Sequence, residues 1–370
     1  MNVAIDRGPL ESAHAVRGVG VYTRELIKAL KRIKGLNVND VDFTKTNLTE
    51  YDVIHYPYFH PFFLTLPAFS KASDGKPSKI VVTIHDLIQL IYPDKYKSGF
   101  KGKINFLKQK SRLKNVEAII VPSETSKKDV IRFFGVPSGK IKVVYEAPRE
   151  IFEEIRNNEI LTSVRKKYNL PSKFVLYVGD VNYNKNIPGL VEACKLADKN
   201  LVICGKQALD IEEEGVSLSM LQGPRDYLRY LFNIPHPELA HFELLLKEVK
   251  SNPKILSLGF VADSDLVAIY NLATVYVQPS FYEGFALPIL EAQASGCPVV
   301  ASKIQVHVEI AEDSVLFADP KDPGDFAKKI KKVLTDKALK EKLITKCLEN
   351  VKNYSWQRTA KSTIEIYKSV

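Results

Sequence analysis

The strongest constraint on the fold is an alternation that runs almost the length of the chain. Short apolar runs of β type are separated by helix-length amphipathic segments. In the first half the strand candidates are Asn2–Ile5, Val53–Tyr56, Ile80–Ile84, Ala118–Val121 and Ile141–Val144, with helical patterns at Val21–Lys34, Ser98–Lys114 and Glu124–Phe134. In the second half they are Phe174–Val178, Leu201–Cys204, Ile255–Leu258, Val275–Gln278 and Pro298–Ala301, with helices at Ile187–Ala197, Phe242–Lys250, Ser264–Asn271 and Pro288–Ser295. Strands this short and apolar, alternating with helices, form βαβ units and bury a parallel sheet under helices on both faces. The pattern restarts at Phe174 after the charged stretch Glu150–Lys173, and 370 residues suit two domains. The expectation is therefore α/β, with Rossmann-like domains over 1–165 and 166–352 and a final helix over 353–370. Such sheets take ligands outside the carboxyl ends of their strands, so a cleft between the two is the expected site. Segment Lys206–Lys254 is long for one crossover and reads as an insertion.

Charge divides the chain at the same place. The net charge is +10; residues 1–170 hold 29 Lys and Arg against 18 Asp and Glu, and the remainder is nearly balanced. Between Lys95 and Lys114 lie eight basic residues and no acid. A solvated helix face explains such a run, and so does a phosphate-rich partner. The uncharged aromatic segment Val53–Ser70 lies close by in sequence and favours contact with a membrane surface. Pro57, Pro61 and Pro67 keep that segment from being a spanning helix. No nucleic-acid recognition module accompanies the charge, and nucleic acid is not an expected partner. Cys194, Cys204, Cys297 and Cys347 show no CxxC spacing and read as buried thiols in a reducing compartment. The start, MNVAID, reads as a strand rather than a leader, and the expectation is a cytoplasmic protein at the inner face of the membrane.

The most informative stretch is PSFYEGFALPILE, Pro279–Glu291, which follows an apolar strand and opens a helix. Gly284 permits a tight backbone and Pro288 suits the first helical turn. The amides of Phe285, Ala286 and Leu287 would then point at an anion. Glu283 and Glu291 bracket the loop. A phosphate gripped by amides with a carboxylate on either side matches a nucleotide sugar, although Glu291 also reads as a first-turn charge complementing the helix dipole.

EGFALPILE resembles the Glu-x7-Glu signature of retaining GT-B glycosyltransferases, and the chain is similar to glycosyltransferase family 4 (group 1), in particular to bacterial surface-polysaccharide mannosyl- and glucosyltransferases. RGVGVYTREL (17–26), VVTIHDLIQLIYPDKY (81–96), VPSETSKKDVIRFFGVP (121–137), FVLYVGDVNYNKN (174–186), LGFVADSDLVAIYNLA (258–273) and ASGCPVVAS (294–302) carry the resemblance in the family's order. It covers nearly the whole chain.

The resemblance implies roles by position. Gly18 and Gly20 match the glycine loop of the first domain that approaches donor phosphates and acceptor. His85 matches the active-site histidine that contacts the transferred sugar. Lys185 matches the lysine that pairs with the donor diphosphate, where a cation offsets leaving-group charge. Many members carry an arginine nearby; here Asn182 stands in that stretch and can hydrogen-bond but not neutralise. Glu283 matches the carboxylate that binds donor-sugar hydroxyls and Glu291 the one that binds ribose, with Ser280 and Glu309 as supporting positions. Ala286 stands where glycine is common. The last helix, with Trp356, resembles one that crosses back to the first domain.

The implied reaction is retaining transfer of a hexose, mannose favoured, from a nucleotide diphosphate sugar to a glycan or polyprenyl-linked acceptor. It implies no obligatory metal and no cofactor beyond the donor co-substrate. Asp40-Val-Asp42 and Asp263-Ser-Asp265 could suggest a metal, but Asp263 reads as a helix cap. The alternatives are a nucleotide-sugar binding protein without transfer and a nucleotide-sugar epimerase on the same fold.

Overall fold

A computed structural model describes residues 1–11, 18–67, 79–205 and 247–370. Arg17, the tail of the aromatic segment and residues 206–246 of the inserted stretch, with the start of helix 242–250, lie outside the described residues. Met1–Arg149 together with Tyr354–Val370 form one compact unit, and Glu150–Asn353 form a second.

The first unit is a six-stranded sheet in the order β2-β1-β3-β4-β5-β6, all neighbours parallel. Its strands are β1 Asn2–Asp6, β2 Asn37–Val41, β3 Val53–Tyr56, β4 Lys79–Thr83, β5 Ala118–Val121 and β6 Ile141–Val143. Because side chains alternate across a strand, the central strands feed two cores. Val53, Val81 and Ile120 pack on one face with Leu26, Leu30, Trp356, Ile364 and Tyr367. Ile54, Val82 and Ile119 pack on the other with Val130 and Phe134. The helix Trp356–Ser369 thus completes the first sheet's core from the far end of the chain.

The second unit repeats the architecture in the order β12-β11-β10-β7-β8-β9. Here β7 is Val175–Val178, β8 Leu201–Cys204, β9 Ile255–Gly259, β10 Val275–Gln278, β11 Val299–Ser302 and β12 Leu316–Ala318. Val175 stands opposite Leu201 on one side and Val275 on the other. The chain winds outward one way from β7 and the other way from β10, so the order reverses between these two strands. That reversal is where a doubly wound sheet opens its ligand crevice.

Two strands absent from the sequence reading, β2 and β12, are the edges of their sheets. β2 (NVNDV) is polar and half-exposed and β12 has three residues, so neither shows the apolar run of a strand buried on both faces. The stretch read as a connection also differs. Residues 150–165, placed with the first domain on sequence, belong to the second unit. The Ile155 amide donates to Asn271 Oδ1 (2.8 Å), and the helix Asn158–Lys167 packs on the helix Asp263–Leu272.

Candidate functional site

At the carboxyl end of β7 the chain makes a short 3₁₀ turn, Tyr183–Lys185, which carries Lys185. Asn182 stands at the head of that turn, and its carbonyl accepts from the Lys185 amide (2.9 Å). Asparagines on either side of the lysine join this turn to the loop after β10. Asn184 Nδ2 donates to Tyr282 O (3.0 Å) and Asn184 O accepts from the Phe281 amide (2.7 Å). Asn186, in the left-handed region at φ 54°, donates to the carbonyls of Pro279 (3.1 Å) and Pro320 (2.9 Å). The two loops at the reversal therefore form one piece.

Across that junction Lys185 Nζ meets both carboxylate oxygens of Glu283 at 2.8 Å. Glu283 is buried, and its Oε1 also accepts from Ser280 Oγ (2.6 Å) and Gln278 Nε2 (2.9 Å). A carboxylate shielded from water needs such donors. Gln278 is oriented in turn by the Tyr276 hydroxyl, which donates to its Oε1. The structure thus brings together Lys185, Glu283 and Ser280, and adds Gln278, which the sequence reading missed. Its signal was a polar residue closing an apolar strand, VYVQ, at a carboxyl end.

The helix that follows, Leu287–Ala294, has Pro288 at its start and Ala286 as its N-cap. Glycine-like geometry falls on Ala286, at φ 76°, ψ 56°, and not on Gly284. Gly284, Phe285 and Ala286 are buried and Leu287 is half-exposed. The Ile289 amide donates to Ala286 O (3.0 Å), closing the first turn, and the positive end of the helix dipole falls here. Glu291 is not the first-turn charge read from sequence: it lies a turn deeper, buried, and Oε2 accepts from the Tyr270 hydroxyl (3.3 Å). Glu309 sits half-buried on the helix Gln305–Ala311, after β11.

The Asp-x-Asp pairs have other duties. Asp265 accepts from Lys167 Nζ (2.6 Å) and Tyr168 Oη (2.8 Å), and Asp42 accepts from the amide (2.9 Å) and hydroxyl (2.6 Å) of Thr44. Asp263 is the first residue of its helix rather than its cap, which is Ala262. The four cysteines are free and buried.

In the first unit, His85 follows β4. Nδ1 lies 2.9 Å from Glu146 Oε1 and Nε2 lies 3.0 Å from the carbonyl of Pro57. With Glu146 as a carboxylate, both neighbours accept, an arrangement that favours the doubly protonated ring. Burial alone opposes that charge, but the hydrogen bond and negative charge of Glu146, helped by the Pro57 carbonyl and Asp86, raise the His85 pKa above its ordinary value. Tyr22 packs edge-on against the ring (4.6 Å between centroids). Behind it runs a buried chain: Tyr22 Oη to Thr83 Oγ1 (3.0 Å), Thr83 Oγ1 to His55 Nε2 (2.8 Å), His55 Nδ1 to Tyr367 Oη (2.6 Å). Burial, with the charge of His85 beside it, pushes the His55 pKa down to about 3, so His55 stays neutral. Glu146 was missed on sequence; the acid closing the run VVYE is the trace it leaves. Gly18 and Gly20 open the helix Gly18–Lys31, and a Cβ on Gly18 would meet nothing within 4 Å.

Among the described residues, no group of three or more His, Cys, Asp or Glu could hold a metal ion, and no helix is long and apolar enough to cross a membrane.

Comparison with known proteins follows the same division. Residues 162–349 match the family described as glycosyl transferases group 1, and residues 42–147 match glycosyltransferase family 4. The chain is 28% identical over 296 residues to the serotype-specific mannosyltransferase WbdA of Escherichia coli, covering 79% of this chain. That alignment spans about a third (34%) of WbdA. It is 28% identical over 300 residues to the O-antigen chain mannosyltransferase B of E. coli, covering 78% of this chain and 70% of that protein. Sucrose-phosphate synthase from Thermosynechococcus elongatus superposes with a TM-score of 0.67 at 19% identity, over 100% of this chain and 98% of that one. Anabaena HepE in complex with UDP-glucose gives 0.69 at 15% identity over the full length of both. Two Rossmann-like units of this kind are the GT-B fold, and with the group 1 match running through Lys185, Glu283 and Glu291, the chain belongs to the group 1 (family 4) glycosyltransferases.

Proposed function

We propose that the protein is a retaining hexosyltransferase, mannose favoured, that takes its sugar from a nucleotide diphosphate donor and passes it to a glycan or polyprenyl-linked acceptor at a membrane surface. The observation that carries the reading is the Lys185–Glu283–Ser280–Gln278 cluster at the reversal between β7 and β10, beside the N-terminus of helix Leu287–Ala294. A donor offers that cluster two complementary parts. Its diphosphate draws the Lys185 ammonium and the helix-terminal amides, while sugar hydroxyls donate to Glu283. Charge developing on the departing diphosphate is then met by a lysine and oriented amides, a stabilisation that requires no metal. Glu291, braced by Tyr270, binds the ribose. Gly18, Gly20 and Asn182 contribute donor contacts, and His85 contacts the transferred sugar. Retention follows from front-face attack, with the leaving diphosphate taking the acceptor proton. The donor is held by the second unit, Glu150–Asn353, and the acceptor is received by the first.

Mannose rests on the names of the relatives, a serotype-specific mannosyltransferase and an O-antigen chain mannosyltransferase. Thermal shift with GDP, UDP, ADP and dTDP and their hexose conjugates tests the donor, repeated on Glu291→Ala. At about 100 times Kd, the right donor adds about 2.7 kcal/mol to the native state. A response to GDP-mannose that weakens in the variant, followed by metal-free transfer to a lipid-linked glycan, is the expected result. A folded sample that responds to no nucleotide would remove the donor site.

A further inference from the structure

The helix Gly99–Arg112 is inside out. Its buried positions are Gly102, Asn105 and Gln109, whereas Phe100, Ile104 and Leu107 are exposed. Phe100 is 82% exposed and Leu107 65%. Amphipathic helices of soluble proteins place these residue types the other way round.

Apart from Phe106, half-buried against Phe134, the inward face is polar for a local reason. It seats the loop Pro57–Pro67, whose carbonyls have no sheet partner. Asn105 Nδ2 donates to Phe62 O (2.9 Å), Gln109 Nε2 to Phe63 O (2.8 Å) and His60 O (3.2 Å), and Arg112 to Leu66 O. Gly102 leaves room for the loop: a Cβ there would lie 3.4 Å from Phe62 Cβ and 2.8 Å from Ser98 Cβ. None of this accounts for the outward face. Positions 100, 104 and 107 follow the i, i+4, i+7 spacing of one helical stripe. Exposed lysines flank the stripe, with Lys101 and Lys108 to one side and Lys103 to the other by helical geometry. No acid occurs from Lys95 to Lys114.

We propose that this stripe, Phe100, Ile104 and Leu107, inserts into the interfacial region of an anionic phospholipid bilayer while the flanking lysines sit among its headgroups. An apolar strip bordered on both sides by cations and by no anion complements a negatively charged lipid surface. It fits an acidic protein groove or a second copy less well, because a second copy would bring its own lysines against these. The stripe lies along the helix axis, so the helix rests parallel to the surface. The proposal rests on the lipid-linked acceptor for its purpose, but its test reads lipid binding alone.

Full-length protein is floated with vesicles of phosphatidylcholine and with vesicles that are one-third phosphatidylglycerol. Expected is recovery with the anionic vesicles only, falling as salt rises. Phe100→Ser with Leu107→Ser should lower the partition by about tenfold or more at unchanged melting temperature, because both side chains are exposed in the folded protein. Lys101→Glu, Lys103→Glu and Lys108→Glu together should abolish it. Binding unaltered by either set, equal binding to neutral vesicles, or no flotation of the folded wild type would each overturn the proposal. So would a dimer that the Ser pair converts to monomer while lipid binding persists. A retained thermal response to the donor in the Ser pair separates failure here from failure of the transferase reading.

Discussion

Lys185 and Glu283 are the residues on which most depends, and their energies are unequal. Glu283 is the buried partner, so removing Lys185 leaves a shielded carboxylate with only the Ser280 hydroxyl and the Gln278 amide. Lys185→Met should cost about 3 kcal/mol in urea denaturation, and adding Glu283→Gln should restore part of it, since a neutral amide no longer needs the cation. The His85–Glu146 pair gives a pH signature of opposite sense to a typical acid. A raised folded pKa means that its stabilisation is complete below the ordinary value of 6.5 and is lost as pH climbs through the folded value. Transfer rate and melting temperature should both decline on that alkaline limb. Glu146→Gln should move the limb to lower pH by about 1 pH unit or more; an unmoved profile would show that His85 charge plays no part. Ala286 holds a left-handed conformation that suits glycine, so Ala286→Gly should raise stability by about 1 kcal/mol, read from the same urea midpoints. Lys185, Glu283 and Glu291, the charged residues proposed for the site, were singled out in the sequence because each falls in a short local motif. Gln278, Glu146 and Tyr270 were not, because each acts on a partner that only folding brings near.

Among the elements, the central strands declared themselves by apolarity, and the edges β2 and β12 did not. The basic helix was found in the sequence within a residue or two of its ends, yet which face looks inward could not be read there. The polar face turns inward because the loop it supports offers carbonyls outside any sheet ladder, and leaving such carbonyls unsatisfied when buried is costly. Gln109→Leu, although more apolar and buried, should therefore destabilise the first unit by about 2 kcal/mol, contrary to a simple hydrophobicity rule. Circular dichroism melts of that variant beside Leu107→Ser, which should be neutral, make the comparison direct.

At the scale of the whole molecule, the last helix ties the chain's two ends into one core. Trp356, Ile364 and Tyr367 fill the first sheet's apolar face, and Tyr367 closes the chain through His55 and Thr83 to Tyr22 at His85. Ending the chain after Asn353 should unfold or loosen the first unit while the second keeps its donor site. Limited proteolysis should then cut within 1–149, and the donor should still protect 150–353; simultaneous loss of both would show that the units do not stand apart. By itself the sequence determined the parallel α/β class, the repeat of the pattern and the family, since these follow from local periodicity and contiguous motifs. Only the tertiary structure decided which carboxylates Lys185 and His85 meet, why Ala286 is strained, where residues 150–165 belong and that one helix faces its apolar stripe outward. Those outcomes depend on burial and on partners distant in the chain, and a linear pattern carries neither.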